Sequence, residues 1–248
     1  MLRGLLKLTW LEIKIFLREP LGVIGTFGLP IGIFLFLARI GGGGSRPSPG
    51  VPSFMGAALP IFASIMISLS AVMSLITIVA IYREGGILKR LRATPLRPHT
   101  ILTAHVLVKL LTTLVSVGAL MLAGRRFVPE GADVPYLAFS LAVAFSTLAI
   151  LSMGFIVASL VPTARFAQPV STLLFYPMLL LSGLFFPIDS LPPLWRAIAR
   201  VLPVGYAVSL MTGAWRGMSW STLTVDVAML ALVFVVCVAL SSRIFRWE

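Results

Sequence analysis

The chain has 248 residues, of which 58% are hydrophobic and 11% charged. Soluble domains carry about 25% charged residues, so a water-soluble globular core is excluded and an all-α integral membrane protein is expected. The formal net charge of +12 does not point to nucleic acid, because the basic residues are scattered at the ends of apolar runs, where membrane topology accounts for them. The single cysteine, Cys237, lies inside an apolar run, so no intrachain disulfide can form.

In residues 1–20, Arg3, Lys7, Lys14 and Arg18 fall within about 60° of one another on a helical wheel. Leu2, Leu5, Leu6, Ile13 and Phe16 gather on the other side. Leu8, Leu11 and Ile15 flank the basic stripe, which suits an interfacial helix sunk among lipid headgroups. A charged flank that merely orients the first span is the plainer alternative. Glu19-Pro20 ends this helix and starts another.

Residues 21–40 form the first expected span, about the twenty residues that a bilayer core requires. The run is too long for a secretory signal and ends in Arg39-Ile40 instead of a small-residue cleavage site, so it is expected to be retained. Gly28 and Gly32 make a GxxxG pair on one face with Gly25, a pattern common by chance in glycine-rich spans. Residues 41–52 read as a flexible external coil. Its four glycines are not a nucleotide loop, since no lysine and no helix follow in register. Residues 54–82 form the second span, longer than a bilayer core and therefore tilted or extended into the cytosol.

Residues 83–98 read REGGILKRLRATPLRP and hold five of the chain's twenty Lys and Arg. That excess places the loop on the cytoplasmic side. Ile87, Leu88 and Leu91 lie within about 100° on the wheel, with Lys89, Arg90 and Arg92 around the rest. This is a short amphipathic helix, stopped at Pro95 and Pro98. A helix of two turns is unstable alone in water, so its apolar face requires the membrane surface or a partner protein.

The third span, 101–124, carries His105 and Lys109 one turn apart. Ionisable groups in a span are functional candidates. Both lie toward the cytoplasmic end, however, where a lysine can snorkel to the headgroups, and that reading is preferred from sequence. A short outer loop with Glu130 and Asp133 leads to the fourth span, 136–161. Residues 162–168 are expected as a brief inner turn before the fifth span, 169–186. The stretch 187–217 is cut by Pro187, Pro192, Pro193 and Pro203. Its Trp195, Ile198 and Leu202 share one helical face, with Arg196 and Arg200 on another. It reads as short re-entrant helices at the outer leaflet, tolerated where protein covers the breaks. The sixth span, 223–242, is entered past Asp226. Under six spans, twelve Lys and Arg fall on the side of the N-terminus and seven on the other, with Lys109 inside a span. Both termini are therefore expected in the cytoplasm.

No phosphate loop, HExxH, paired CxxC or GxSxG motif occurs. Two histidines and eight acids, widely spread, argue against a membrane-embedded enzyme. Midplane carboxylates and an inverted repeat, which an ion-coupled carrier needs, are not evident. The energy source is expected in another polypeptide.

Two stretches carry a family resemblance. REGGILKRLRATPLRP after the second span resembles the cytoplasmic loop of type 2 ABC exporter permeases, with its acidic residue, glycine, short apolar-basic helix and Thr-Pro. Residues 176–217, YPMLLLSGLFFPIDSLPPLWRAIARVLPVGYAVSLMTGAWRG, resemble the fifth span and re-entrant helices of the same family. The resemblance implies a single membrane domain that works as a dimer, with a second copy or a similar permease, and with two copies of a separate ATPase. It implies no catalytic site or cofactor in this chain, with ATP and Mg expected in the ATPase. It also implies a multi-pass protein of the plasma or inner membrane.

The helix at Ile87–Ala93 would be the coupling helix, so Glu84, Ile87, Leu88, Arg90, Leu91 and Arg92 are ATPase-coupling candidates. The N-terminal helix would be the connecting helix beside it. The substrate path would run between the second and fifth spans of two subunits. Phe62, Met66, Met73, Phe175, Tyr176, Met178 and Leu180 are its candidates, although ordinary helix packing explains the same residues. Methionines and aromatics suit an amphipathic drug-like or lipid-like molecule; a polysaccharide or lipid-linked glycan is the alternative. Gly183 and Pro187 are expected as hinges of an external lid.

Overall fold

A computed structural model describes residues 2–42, 54–68, 73, 75–86, 98–124, 135–161, 163–181 and 190–244. All secondary structure among them is helical. Helix α1 (Leu2–Arg18) is followed by α2 (Pro20–Val23), a π-helical turn (Ile24–Gly28) and α3 (Leu29–Gly42). Next come α4 (Phe54–Ser68), α5 (Ile76–Glu84), α6 (Pro98–Gly124), α7 (Tyr136–Leu160) and α8 (Ala164–Leu180). Helices α9 (Pro193–Val201), α10 (Pro203–Trp215) and α11 (Thr224–Ile244) complete the chain.

Among the described residues three helical stretches, Thr103–Gly124, Tyr136–Leu160 and Thr224–Ser241, are long and apolar enough to cross a bilayer, and two bent pairs raise the number to at most five. The expectation of an all-helical chain with several spans is met, and that of six spans is met in part. Of the second expected span the structure describes α4, α5 and the π-helical residues Met73 and Leu75; residues 69–72 and 74 lie outside the described residues. The first span contains an unforeseen π-helical turn.

The break after α1 has a local cause. Glu19 adopts φ −98° and ψ 86°, because a residue before proline is pushed out of the α region. Pro20, lacking an N–H, then opens the next helix at no cost in hydrogen bonds. The chain turns by 92° at this point.

Helix α7 is the hub of the bundle, packing on α4, α5, α6, α10 and α11. Its small buried residues Ala142, Ser146, Ala149, Gly154 and Ala158 allow neighbouring backbones to approach closely, the usual basis of helix association in lipid. Phe139 meets Trp215 of α10 edge to face, with ring centroids 5.1 Å apart. Gly213 on α10 faces Leu223, into whose side chain any Cβ there would run. Helix α10 ends in a left-handed glycine, Gly217 at φ +70°, with the Met218 N–H donating to the Gly213 carbonyl at 3.0 Å. This is a Schellman-type stop.

Two local expectations are corrected. Residues 162–168, read as an inner turn, are helical from Ala164 onward, and Pro169 lies inside α8 instead of opening it. The helix of the third span, expected from residue 101, opens at Pro98, a position where the missing proline N–H would have had no partner in any case. The described part of the proline-cut stretch separates into unlike halves bent by 75°. Helix α10 is largely buried against α4, α7 and α11, whereas α9 exposes Leu194, Trp195, Ile198 and Val201.

Candidate functional site

Several ionisable side chains meet where α1 lies across α6. Glu12 stands about 150° round the α1 wheel from the middle of the basic stripe, so its carboxylate enters the protein while Lys7, Lys14 and Arg18 stay exposed. The Tyr82 hydroxyl, two residues before the end of α5, donates to Glu12 Oε1 at 3.0 Å. From α6, His105 Nε2 approaches the same oxygen at 3.7 Å, too long for a hydrogen bond. The Tyr82 and His105 rings meet edge to face at 5.2 Å. Lys109, one turn further along α6, holds its ammonium 5.7 Å from the centre of the Phe16 ring, a cation–π contact. Phe16 in turn touches Phe27 of the π-helical turn, with centroids 5.9 Å apart.

His105 and Lys109 are only 2% and 7% exposed. The snorkelling lysine expected from sequence is therefore corrected. Helix α1 covers it, and an aromatic ring receives it. Thr112, Thr113 and Ser116 continue the buried stripe along α6. The Thr112 and Ser116 hydroxyls donate to the carbonyls one turn back, at 2.6 and 2.8 Å, which satisfies them without a partner helix.

Sequence reasoning treated α1 as having one basic and one apolar side and missed Glu12. The signal was present, since an acid on the apolar face of an amphipathic helix requires a buried partner. The cluster ties three elements that the sequence keeps apart. Helices α5 and α6 flank the basic loop, and α1 is fastened to both.

The coupling candidates divide. Glu84 is the last residue of α5 and is exposed. It precedes a turn in which Gly86 takes φ +63° and the Gly85 N–H donates to the Ile81 carbonyl at 2.9 Å. Ile87, Leu88, Arg90, Leu91 and Arg92 lie outside the described residues, as do the hinge candidates Gly183 and Pro187.

The path candidates also divide. Phe62, Met66 and Met178 are buried in the core of the single chain, with Phe62 edge-on to Phe34 at 5.4 Å. Met73 and Phe175 are half-buried. Tyr176 is 62% exposed and shares an open apolar stripe of α8 with Phe166, Leu173 and Leu180. Only this last group faces outward. Above it, a groove of about 310 Å³ is lined by Leu180, Leu181, Ser190, Leu191, Pro192 and Trp195. Among the described residues no cluster of three metal-ligating side chains occurs.

The comparisons with known proteins agree with this architecture. Residues 3–215 match the family model described as ABC-2 type transporter. The chain is similar to Nodulation protein J of Rhizobium leguminosarum bv. viciae, 31% identical over 104 residues, which is 42% of this chain and 40% of that protein. It is similar to Nodulation protein J of Neorhizobium galegae, 30% identical over the same shares of each chain. The namesake from Sinorhizobium fredii is 33% identical over 84 residues, 34% of this chain and 32% of that protein. The match to the first of these spans about two fifths of the relative's length. The family match, by contrast, runs from α1 through α10, and with it the apolar helices make this a membrane protein: the chain belongs to the ABC-2 type transporter family of membrane permeases.

Proposed function

We propose that the chain is the membrane-spanning permease subunit of an ATP-driven exporter. It works as a dimer with two copies of a separate ATPase, in which ATP and Mg bind. Both termini are cytoplasmic, and the loop between α5 and α6 seats its short helix, Ile87–Ala93, in the ATPase. The observation that carries the reading is the family match over residues 3–215. It is supported by the tie from α1 to the two helices flanking that loop.

ATP-driven closure of the ATPase pair displaces the loop and swings the membrane halves between inward- and outward-facing states. Productive coupling requires that the ATPase bind these two states with different affinity. The exported molecule is amphipathic, drug-like or lipid-like, and a lipid-linked glycan falls within the same chemical class. It passes along the open stripe of α8, where Tyr176 and Leu180 offer an apolar face with one polar tip.

The test is ATP hydrolysis by the purified chain in lipid, alone and with the ATPase encoded beside it. Hydrolysis by the pair only, altered by added amphipaths, supports the reading. Substrate movement driven by an ion gradient with no ATPase bound replaces it with a secondary carrier.

A further inference from the structure

We infer that Glu12 is the positioning residue that makes α1 move as one rigid body with the ends of α5 and α6 that flank the basic loop. Three observations carry this. First, Glu12 is the one acid of a helix whose basic residues Lys7, Lys14 and Arg18 are exposed. Second, a single carboxylate oxygen receives the Tyr82 hydroxyl from α5 at 3.0 Å and faces His105 Nε2 from α6 at 3.7 Å. Third, Lys109 and Phe16 close the same interface one turn along, at 5.7 Å.

Much of the remaining described α1 surface is apolar and open. Leu6, Trp10, Leu11, Ile15 and Leu17 are exposed, so lipid is as good a neighbour for them as another helix. In a bilayer, apolar contact does not distinguish a docked helix from one adrift in the interface. A buried polar contact does, because undocking leaves the carboxylate and the tyrosine hydroxyl without partners in an apolar medium. The tie therefore acts as a latch with a defined register. A displacement of the loop, entering through α5 and α6, is passed to α1 through Glu12.

The coupling half of this inference rests on the exporter reading, while the rigid tie does not, and the experiment separates them. Spin labels are placed at exposed positions on α1 and α6, Lys14→Cys and Leu111→Cys, in a Cys237→Ala background. Distances are measured in vesicles of phosphatidylcholine and phosphatidylglycerol, without any ATPase. A narrow distribution is expected, broadened about twofold by Glu12→Ala, which strands buried partners. Tyr82→Phe is expected to broaden it less, and Glu12→Gln, which keeps an acceptor for Tyr82, is expected to leave it narrow. Equal widths in all four proteins overturn the tie. If Glu12→Ala fails to fold, Tyr82→Phe against Glu12→Gln decides.

A second label pair, Lys14→Cys with Val225→Cys on α11, is then followed in the complex before and after vanadate trapping. A shift in the otherwise native chain that is lost in Tyr82→Phe or Glu12→Ala supports transmission through Glu12. An identical shift in the variants overturns it. A native chain that binds no ATPase defeats the exporter reading and the transmission built on it, and leaves the first measurement to judge the tie.

Discussion

The Tyr82 hydroxyl donates to the Glu12 carboxylate at 3.0 Å across a separation of 70 residues. It thereby joins the end of α5 to a helix that its own sequence would have left loose on the membrane surface. Tyr82→Phe keeps the ring contact with His105 and removes only the donor. Leaving a part-buried carboxylate short of one hydrogen bond costs about 1–3 kcal/mol. At about 2–4 °C per kcal/mol for a chain of this size, the detergent-solubilised protein should melt several degrees lower in differential scanning fluorimetry. An unchanged midpoint would mean that water replaces the bond in solution.

Gly213 sits where α10 meets α11, and any side chain there collides with Leu223. Gly213→Val should cost about 1–3 kcal/mol through overpacking. Truncation of the obstructing residue, Leu223→Ala, should recover part of the loss when combined with it, though each single change destabilises. A double-mutant cycle on thermal midpoints measures this, and strict additivity would show that the two side chains do not compete for one space.

Met178 and Tyr176 lie two residues apart on α8 and face opposite ways. Met178 is fully buried and Tyr176 is 62% exposed. Met178→Ala should cost about 2–5 kcal/mol by leaving a cavity, and the yield of folded protein should fall accordingly. Tyr176→Ala should leave the midpoint of the isolated chain nearly unchanged and alter amphipath-stimulated ATP hydrolysis by the complex. The reverse pattern would remove α8's open stripe from the transport path.

Gly86 closes α5 at φ +63°, a region that costs a residue with a side chain about 1–2 kcal/mol. Gly86→Val should therefore misdirect the start of the basic loop. Leu88→Asp with Leu91→Asp should leave the chain in the membrane and abolish co-purification of the ATPase. Retention of the ATPase by that double variant would remove the coupling role from this loop.

Proline and charge spacing made much of the local structure legible. Glu19-Pro20 marked the turn between α1 and the first span, and the proline-cut stretch beyond the fifth span became two short helices, of which α10 is protein-covered. These features depend on backbone chemistry within a few residues, which composition reveals directly. Helix limits near Pro98 and Pro169 were less legible. A proline there can open a helix or sit inside one, and tertiary support selects between the two.

By itself the sequence determined the solvent class, the helical periods, the basic stripe of α1 and the basic loop, because each follows from the polarity of neighbouring residues. Only the tertiary structure decided that Glu12 points inward, that Lys109 is covered by α1, and that Phe62, Met66 and Met178 are core while Tyr176 and Leu180 are surface. The physical reason is the medium. Lipid tails are as apolar as a helix interface, so hydrophobicity does not tell a lipid-facing side chain from a protein-facing one. The partners of a buried charge come from segments that are distant in the chain and meet only when it folds.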